Sequence, residues 1–161
     1  MEVYFLRHGD AGAKDRWSGR DEERPLTPEG AARIEREAAA LAAFALPVEL
    51  IFTSPLVRAR QTAEIAARRL SLRDVLKVDG RLKPGFGMDE LASLLQDCRG
   101  TKALMLVGHE PDFSTIISAC IGGGSVEVKK GGVARVDIES PASLRGVLVW
   151  LVPPRLLAAD P

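Results

Sequence analysis

Strand-like and helix-like segments alternate through the first two-thirds of this chain, which predicts an α/β fold with a largely parallel central sheet. Two further observations sharpen the expectation. Residues 2–7 (EVYFLR) and 103–108 (ALMLVG) are continuous apolar runs, the pattern of strands covered by helices on both faces. The expected architecture is therefore a three-layer α/β/α sandwich. With 161 residues, no internal repeat and no linker, residues 1–161 read as a single domain around one core.

The elements follow in order. After the first strand, residues 8–26 mix Gly, Asp, Arg and Pro without a period and read as a polar loop. Thr27 and Pro28 supply an N-cap and a first-turn proline, with Glu29 next. Ala31, Ile34, Ala38 and Leu41 then repeat at helical spacing, and Arg33 and Glu37 are expected on the solvent side. A second strand is predicted over 49–53 (ELIFT), and Ser54-Pro55 opens a helix running to about Leu70. An extended piece at 75–78 leads to the irregular loop RLKPGFG. Met88, Leu91, Leu95 and Cys98 mark a third helix; Pro111 to Ile121 is a fourth, ended by Gly122-Gly123-Gly124. Segments near 126–128, 133–138 and 146–152 read as strands, the last of them antiparallel at the sheet edge.

Composition removes several function classes. Lys+Arg and Asp+Glu balance at 22 each, so net charge gives no reason to expect nucleic-acid or membrane binding. The start MEVYFLRHG lacks the basic, long apolar pattern of a signal peptide, and no segment reaches the length of a membrane span. The expected location is the cytoplasm. Cys98 and Cys120 match no metal or redox spacing and read as buried, inert thiols. The glycines at 122–124 follow a helix, so they are no dinucleotide fingerprint.

Chemistry concentrates at the ends of the predicted strands. The chain has only two histidines: His8 directly follows the first strand, and His109 directly follows the run at 103–108. Ligands of open α/β sheets gather at the carboxyl ends of strands, where these rings would meet if their strands are neighbours. Arg58 sits in the first turn of the second helix. Arg60, Glu64 and Arg68 form the solvated i, i+4, i+8 stripe, and at about 100° per residue Arg58 lies roughly 200° away from Arg60, beside Thr62 and Ile65. An inward arginine needs an anionic partner. Arg7, at the end of a doubly covered strand, raises the same demand. Its partner is either a carboxylate such as Asp10 or an external anion, and Arg58 has the Glu64 side as its alternative. Two guanidinium forks and two imidazoles suit a tetrahedral dianion, helped by helix N-termini near residues 55 and 111. Ser54 reads as a helix cap rather than a nucleophile, and Lys129-Lys130 as a solvated turn.

The motifs resemble a known family. Leu6-Arg7-His8-Gly9, Arg24-Pro25-Leu26-Thr27-Pro28-Glu29-Gly30, Ser54-Pro55-Leu56-Val57-Arg58-Ala59-Arg60-Gln61-Thr62-Ala63 and Gly108-His109-Glu110-Pro111 resemble, in order, the signatures of the histidine phosphatase superfamily, the phosphoglycerate mutase-like fold. They span residues 6–111. The short length and Arg7-His8-Gly9-Asp10-Ala11 look most like the SixA-type phosphohistidine phosphatases. The resemblance implies that His8 is the nucleophile, that Arg7, Arg58 and His109 form the phosphate pocket, and that Arg24 approaches the substrate from its loop.

Those roles imply a two-step displacement in which neutral His8 attacks phosphorus and water then hydrolyses the phosphohistidine. The arrangement calls for no metal or other cofactor. A general acid is not evident; Asp10, Asp89 and Glu110 each lie near a motif. An imidazole leaving group depends on such an acid far less than an alkoxide does, which favours protein phosphohistidine over small phosphate esters as substrate. The implied partner is a phosphohistidine-bearing protein such as a phosphotransfer domain of a signalling relay, with inorganic phosphate as product and a monomeric enzyme. Hydrolysis of small-molecule phosphate esters is the alternative.

Overall fold

The computed structural model describes residues 1–157. The remaining four positions, part of the domain expected over 1–161, lie outside the described residues. Six strands form one sheet in the order β3-β2-β4-β1-β5-β6. They are β1 (Glu2–Arg7), β2 (Leu50–Thr53), β3 (Leu76–Val78), β4 (Ala103–Gly108), β5 (Val133–Ile138) and β6 (Gly146–Val152). The first four run parallel to one another, while β5 pairs antiparallel with both β1 and β6.

The helices are α1 (Pro28–Ala43), α2 (Val57–Arg69), α3 (Met88–Asp97), α4 (Asp112–Cys120) and a final turn α5 (Pro154–Leu157). They cover both faces of the sheet, and the alternation of β1 shows how. Tyr4 and Leu6 pack with residues of α1 and α2, including Ala38, Leu41, Ala59 and Ala63. Val3 and Phe5 pack with residues of α3 and α4, including Leu91, Leu95, Phe113 and Ile117. All four strand residues are buried, each contributing about 1.5–3 kcal/mol of burial. Phe5 meets Phe113 edge-on, with ring centroids 5.2 Å apart. The three-layer sandwich is thus fixed by two separate apolar clusters back to back.

Local signals set most boundaries. Thr27 caps α1, its Oγ1 accepting from Gly30 N at 2.9 Å, with Pro28 at the first helical position. A Cβ on Gly30 would stand well inside contact distance of the Asp10 carbonyl oxygen, so glycine lets α1 dock against the loop after β1. The loop at 8–26 contains two short 3-10 turns, Lys14–Arg16 and Asp21–Glu23.

Three expectations require correction. Residues 126–128 form no strand: Val128 N donates to Ser114 Oγ and Val128 O accepts from Arg7 Nη1, so side chains rather than a ladder engage the backbone of Val128. Glu37 is buried, not solvated, because it falls between Ile34 and Leu41 within the inward stripe of α1. The second helix begins at Val57 rather than at Ser54-Pro55, with Ser54 Oγ still accepting from Leu56 N at 3.3 Å. Cys98 and Cys120 are buried free thiols. Among the described residues, no helix is long and apolar enough to cross a membrane.

Candidate active site

The sheet order brings the motif residues together. β4 lies between β2 and β1, with Arg7 opposite Gly108 and Thr53 opposite Val107 in register. The residues leaving these three strands, Ser54, His109 and His8, therefore emerge side by side at one edge. Backbone bonds extend the pairing past the strand ends: His8 N donates to Gly108 O at 3.0 Å and Ser54 N to Val107 O at 3.0 Å. The two imidazoles lie 5.1 Å apart between centroids, and each is at least nine-tenths buried.

A cleft of about 280 Å³ opens here, and Arg7, His8, Arg24, Arg58 and His109 all line it. All five site residues expected from sequence thus reach one cavity. Of the three carboxylates considered as an acid, only Glu110 lines it. Asp10 is engaged by Lys130, and Asp89 is exposed on α3.

His8 is held in a defined state. Its Nδ1 lies 2.7 Å from Gly9 O, and since a carbonyl only accepts, Nδ1 carries the proton and Nε2 the lone pair. Arg58 Nε donates to that lone pair at 3.3 Å. Gly9 is positioned in turn: its N–H donates to Thr62 Oγ1 at 3.1 Å, and Thr62 donates to Arg58 O at 2.8 Å. A Cβ on Gly9 would meet Ile34 Cγ1 at 2.6 Å, so only glycine allows this close seat under α1. Burial, followed by the nearby guanidiniums of Arg58, Arg7 and Arg24, pushes His8 down to about 4 against the Gly9 bond. Burial, then His8 and Arg58, pushes His109 down to about 3. Both rings are neutral at pH 7.

Arg58 and Arg24 share the one carboxylate of Asp21, while Arg7 is anchored by a carbonyl. Arg58 Nη1 donates to Asp21 O at 2.8 Å, and Nη2 lies 3.2 Å from Asp21 Oδ2. Asp21 Oδ1 also takes Arg24 Nε at 2.9 Å, while Arg24 Nη1 donates to Ala11 O and Gly12 O. Arg7 donates from Nη1 to Val128 O at 2.9 Å. Among the described residues, Arg7 Nε and His109 Nδ1 are buried polar atoms with no hydrogen-bond partner. A tetrahedral oxyanion would satisfy such atoms. Neither arginine uses the carboxylate alternative raised from sequence: Arg58 pairs with Asp21 rather than the Glu64 side, and Asp10 takes Lys130 rather than Arg7.

Sequence patterns single out neither Asp21 nor the contact of Ser54 with His109, and Lys130, expected in a solvated turn, also lines the cleft. Asp21 looked like one charge among many in an aperiodic loop, yet it clamps Arg58 and Arg24 together. Ser54 is not the cap expected from sequence, since Leu56 is the N-cap of α2; its Oγ accepts from Leu56 N ahead of the helix and also lies 2.8 Å from His109 Nε2, a contact across 55 positions that no local pattern reveals. Among the described residues, no group of three or more His, Cys, Asp or Glu is placed to hold a metal ion.

The profile of the histidine phosphatase superfamily (branch 1) matches residues 3–84. A protein of Picosynechococcus sp. whose activity is uncharacterized is 36% identical over 138 residues, covering 83% of this chain and 82% of the relative. Phosphohistidine phosphatase SixA of Escherichia coli is 26% identical over 157 residues, covering 96% and 94% respectively. A solved structure of the protein histidine phosphatase SixA complexed with tungstate superposes with a TM-score of 0.87 at 26% identity, covering 98% of this chain and 99% of that one.

Proposed function

Since the chain belongs to the histidine phosphatase superfamily and is a phosphatase by that membership, we propose that its substrate is phosphohistidine on a protein and that His8 carries the phosphoryl group between two displacements. The observation that carries this reading is the state of His8. Its Nδ1 proton is committed to Gly9 O, which leaves the Nε2 lone pair beside Arg58 in a cleft lined by three arginines.

In the first step Nε2 of His8 forms a bond to phosphorus while the N–P bond of the substrate breaks. The departing imidazole takes a proton from solvent. The ring of His8, now bonded to phosphorus at Nε2 and still protonated at Nδ1, is cationic, and Gly9 O stabilises that charge. Water then attacks phosphorus, inorganic phosphate departs, and neutral His8 is regenerated. Arg7, Arg58 and His109 serve as donors to the equatorial oxygens; phosphoryl transfer depends mainly on such preorganised electrostatics. Arg24, held by Asp21 and the Ala11–Gly12 carbonyls, lines the same cleft and suits a contact with the incoming substrate. Similarity to SixA supports phosphohistidine as the substrate class, and a phosphotransfer domain of a signalling relay as the partner. In this reading one domain carries the whole site and works as a cytoplasmic monomer.

One observation favours a second reading, hydrolysis of small phosphate esters. Glu110 lines the cleft, and burial raises its carboxyl above the ordinary range against the pull of Ser114 and Arg7, which is the direction a proton donor needs. A rate comparison separates the two. Phosphohistidine protein is expected to exceed small alkyl phosphates in kcat/KM by at least about 100-fold, roughly 2.7 kcal/mol of transition-state stabilisation. Faster turnover of alkyl phosphates, abolished by Glu110→Gln, would overturn the assignment.

A further inference from the structure

We propose that Ser54 is a positioning residue that locks His109 in its Nδ1–H tautomer, so that the uncharged ring acts as a hydrogen-bond donor to the phosphoryl group. The inference rests on the reading of the cleft as a phosphoryl site, and it adds a named cause for the role of His109.

Counting protons around Ser54 fixes the tautomer. Ser54 is fully buried at the carboxyl end of β2. Its hydroxyl has one proton to give. Leu56 N already donates to Oγ at 3.3 Å. Among the described residues the other partner of Oγ is His109 Nε2, at 2.8 Å. If Nε2 carried the ring proton and donated to Oγ, the hydroxyl would accept twice and, fully buried, its own proton would have no protein acceptor. An unmade buried hydrogen bond costs about 1–3 kcal/mol. If the hydroxyl instead donates to Nε2, both groups are satisfied, and the ring proton must reside on Nδ1.

Nδ1 is then the nitrogen left for an oxyanion. It is buried without a partner, on a ring that lines the cleft. A lone pair there would repel a phosphoryl oxygen; an N–H would bind it. The consequence is a division of labour between two rings in the same tautomer. His8, with its Nδ1 proton on Gly9 O, offers a lone pair at Nε2. His109, with its Nε2 lone pair on Ser54, offers a proton at Nδ1. One attacks and the other donates, and neither needs a positive charge. This fits the strong depression of His109, which removes imidazolium as the source of its donor.

The test uses the chain's two histidines. In protein labelled with ¹⁵N at histidine, long-range proton–nitrogen correlation at pH 7 resolves four ring nitrogens and assigns each tautomer. Both rings are expected to show a protonated Nδ1 and a lone-pair Nε2. Ser54→Ala is expected to transfer proton population on His109 to Nε2, leave His8 unchanged, and lower kcat about tenfold. Ser54→Thr, which returns a hydroxyl, is expected to restore the wild-type His109 pattern. A wild-type His109 protonated at Nε2 or on both nitrogens overturns the proposal, and so does a His109 pattern that Ser54→Ala leaves unmoved. The wild-type spectrum alone decides the point if a variant fails to fold. Because the spectrum needs no substrate, its outcome is separate from any failure of the phosphatase reading.

Discussion

Glu37 supplies a prediction whose size can be worked out from its surroundings. The side chain is buried in the inward stripe of α1, and neither carboxyl oxygen has a hydrogen-bond partner. It presses against Gly131, where a Cβ would fall well inside contact distance of Oε2. Gly131 N donates to the carbonyls of Arg7 and His8, so this carboxyl underlies the turn that braces the end of β1. Burial raises Glu37 from 4.5 to about 7, against the pull of Arg33 and Arg36. Between those values the native carboxyl keeps a proton that the unfolded chain has released, so stability falls as pH rises through that window. The loss is about 3 kcal/mol in all, roughly 2.5 kcal/mol of it between pH 5 and pH 8. Glu37→Gln keeps the shape and removes the ionisation. Urea unfolding at both pH values should show the variant gaining roughly 2.5 kcal/mol on the wild type from pH 5 to pH 8. A wild-type-to-variant difference that stays constant with pH would refute the reasoning.

Other outcomes follow from the same contacts. With His8 at about 4 and His109 at about 3, kcat/KM corrected for substrate ionisation should stay level down to about pH 5.5, where an imidazole titrating near 6.5 would already be about 90% protonated; an acid limb near 6.5 would contradict it. Because both native values lie below that of the unfolded chain, falling pH from 6.5 toward 4 should also destabilise the fold, read by thermal melting. Gly30→Ala would drive a methyl into the Asp10 carbonyl and should cost about 3 kcal/mol in urea unfolding. Asp21→Asn weakens the clamp on Arg58 and Arg24 and should lower kcat/KM about tenfold in steady-state assays, about 1.4 kcal/mol.

How far the sequence carried depended on whether a feature was local or shared across the chain. The apolar runs around β1 and β4 placed both histidines at strand ends, and helix geometry turned Arg58 inward, because each inference needed only a few neighbouring residues. At Glu37 the charge suggests solvent, but its place between Ile34 and Leu41 on the inward stripe of α1 outweighs that charge. Val126 to Val128 has strand composition, but the backbone N–H and carbonyl of Val128 bond to Ser114 and Arg7 from elsewhere. Asp21 and the Ser54–His109 contact are meetings of distant segments in one loop cluster and one sheet edge, and no spacing encodes them.

The central claim is that the phosphoryl group passes through Nε2 of His8. Rapid quenching of a ³²P-labelled phosphohistidine protein with enzyme, followed by alkaline digestion and peptide mapping, reads it directly. Label should appear transiently on the peptide holding His8, persist in a variant slow in hydrolysis, and be absent from His8→Ala. Release of phosphate at the full rate by His8→Ala, or label confined to His109, would contradict the account.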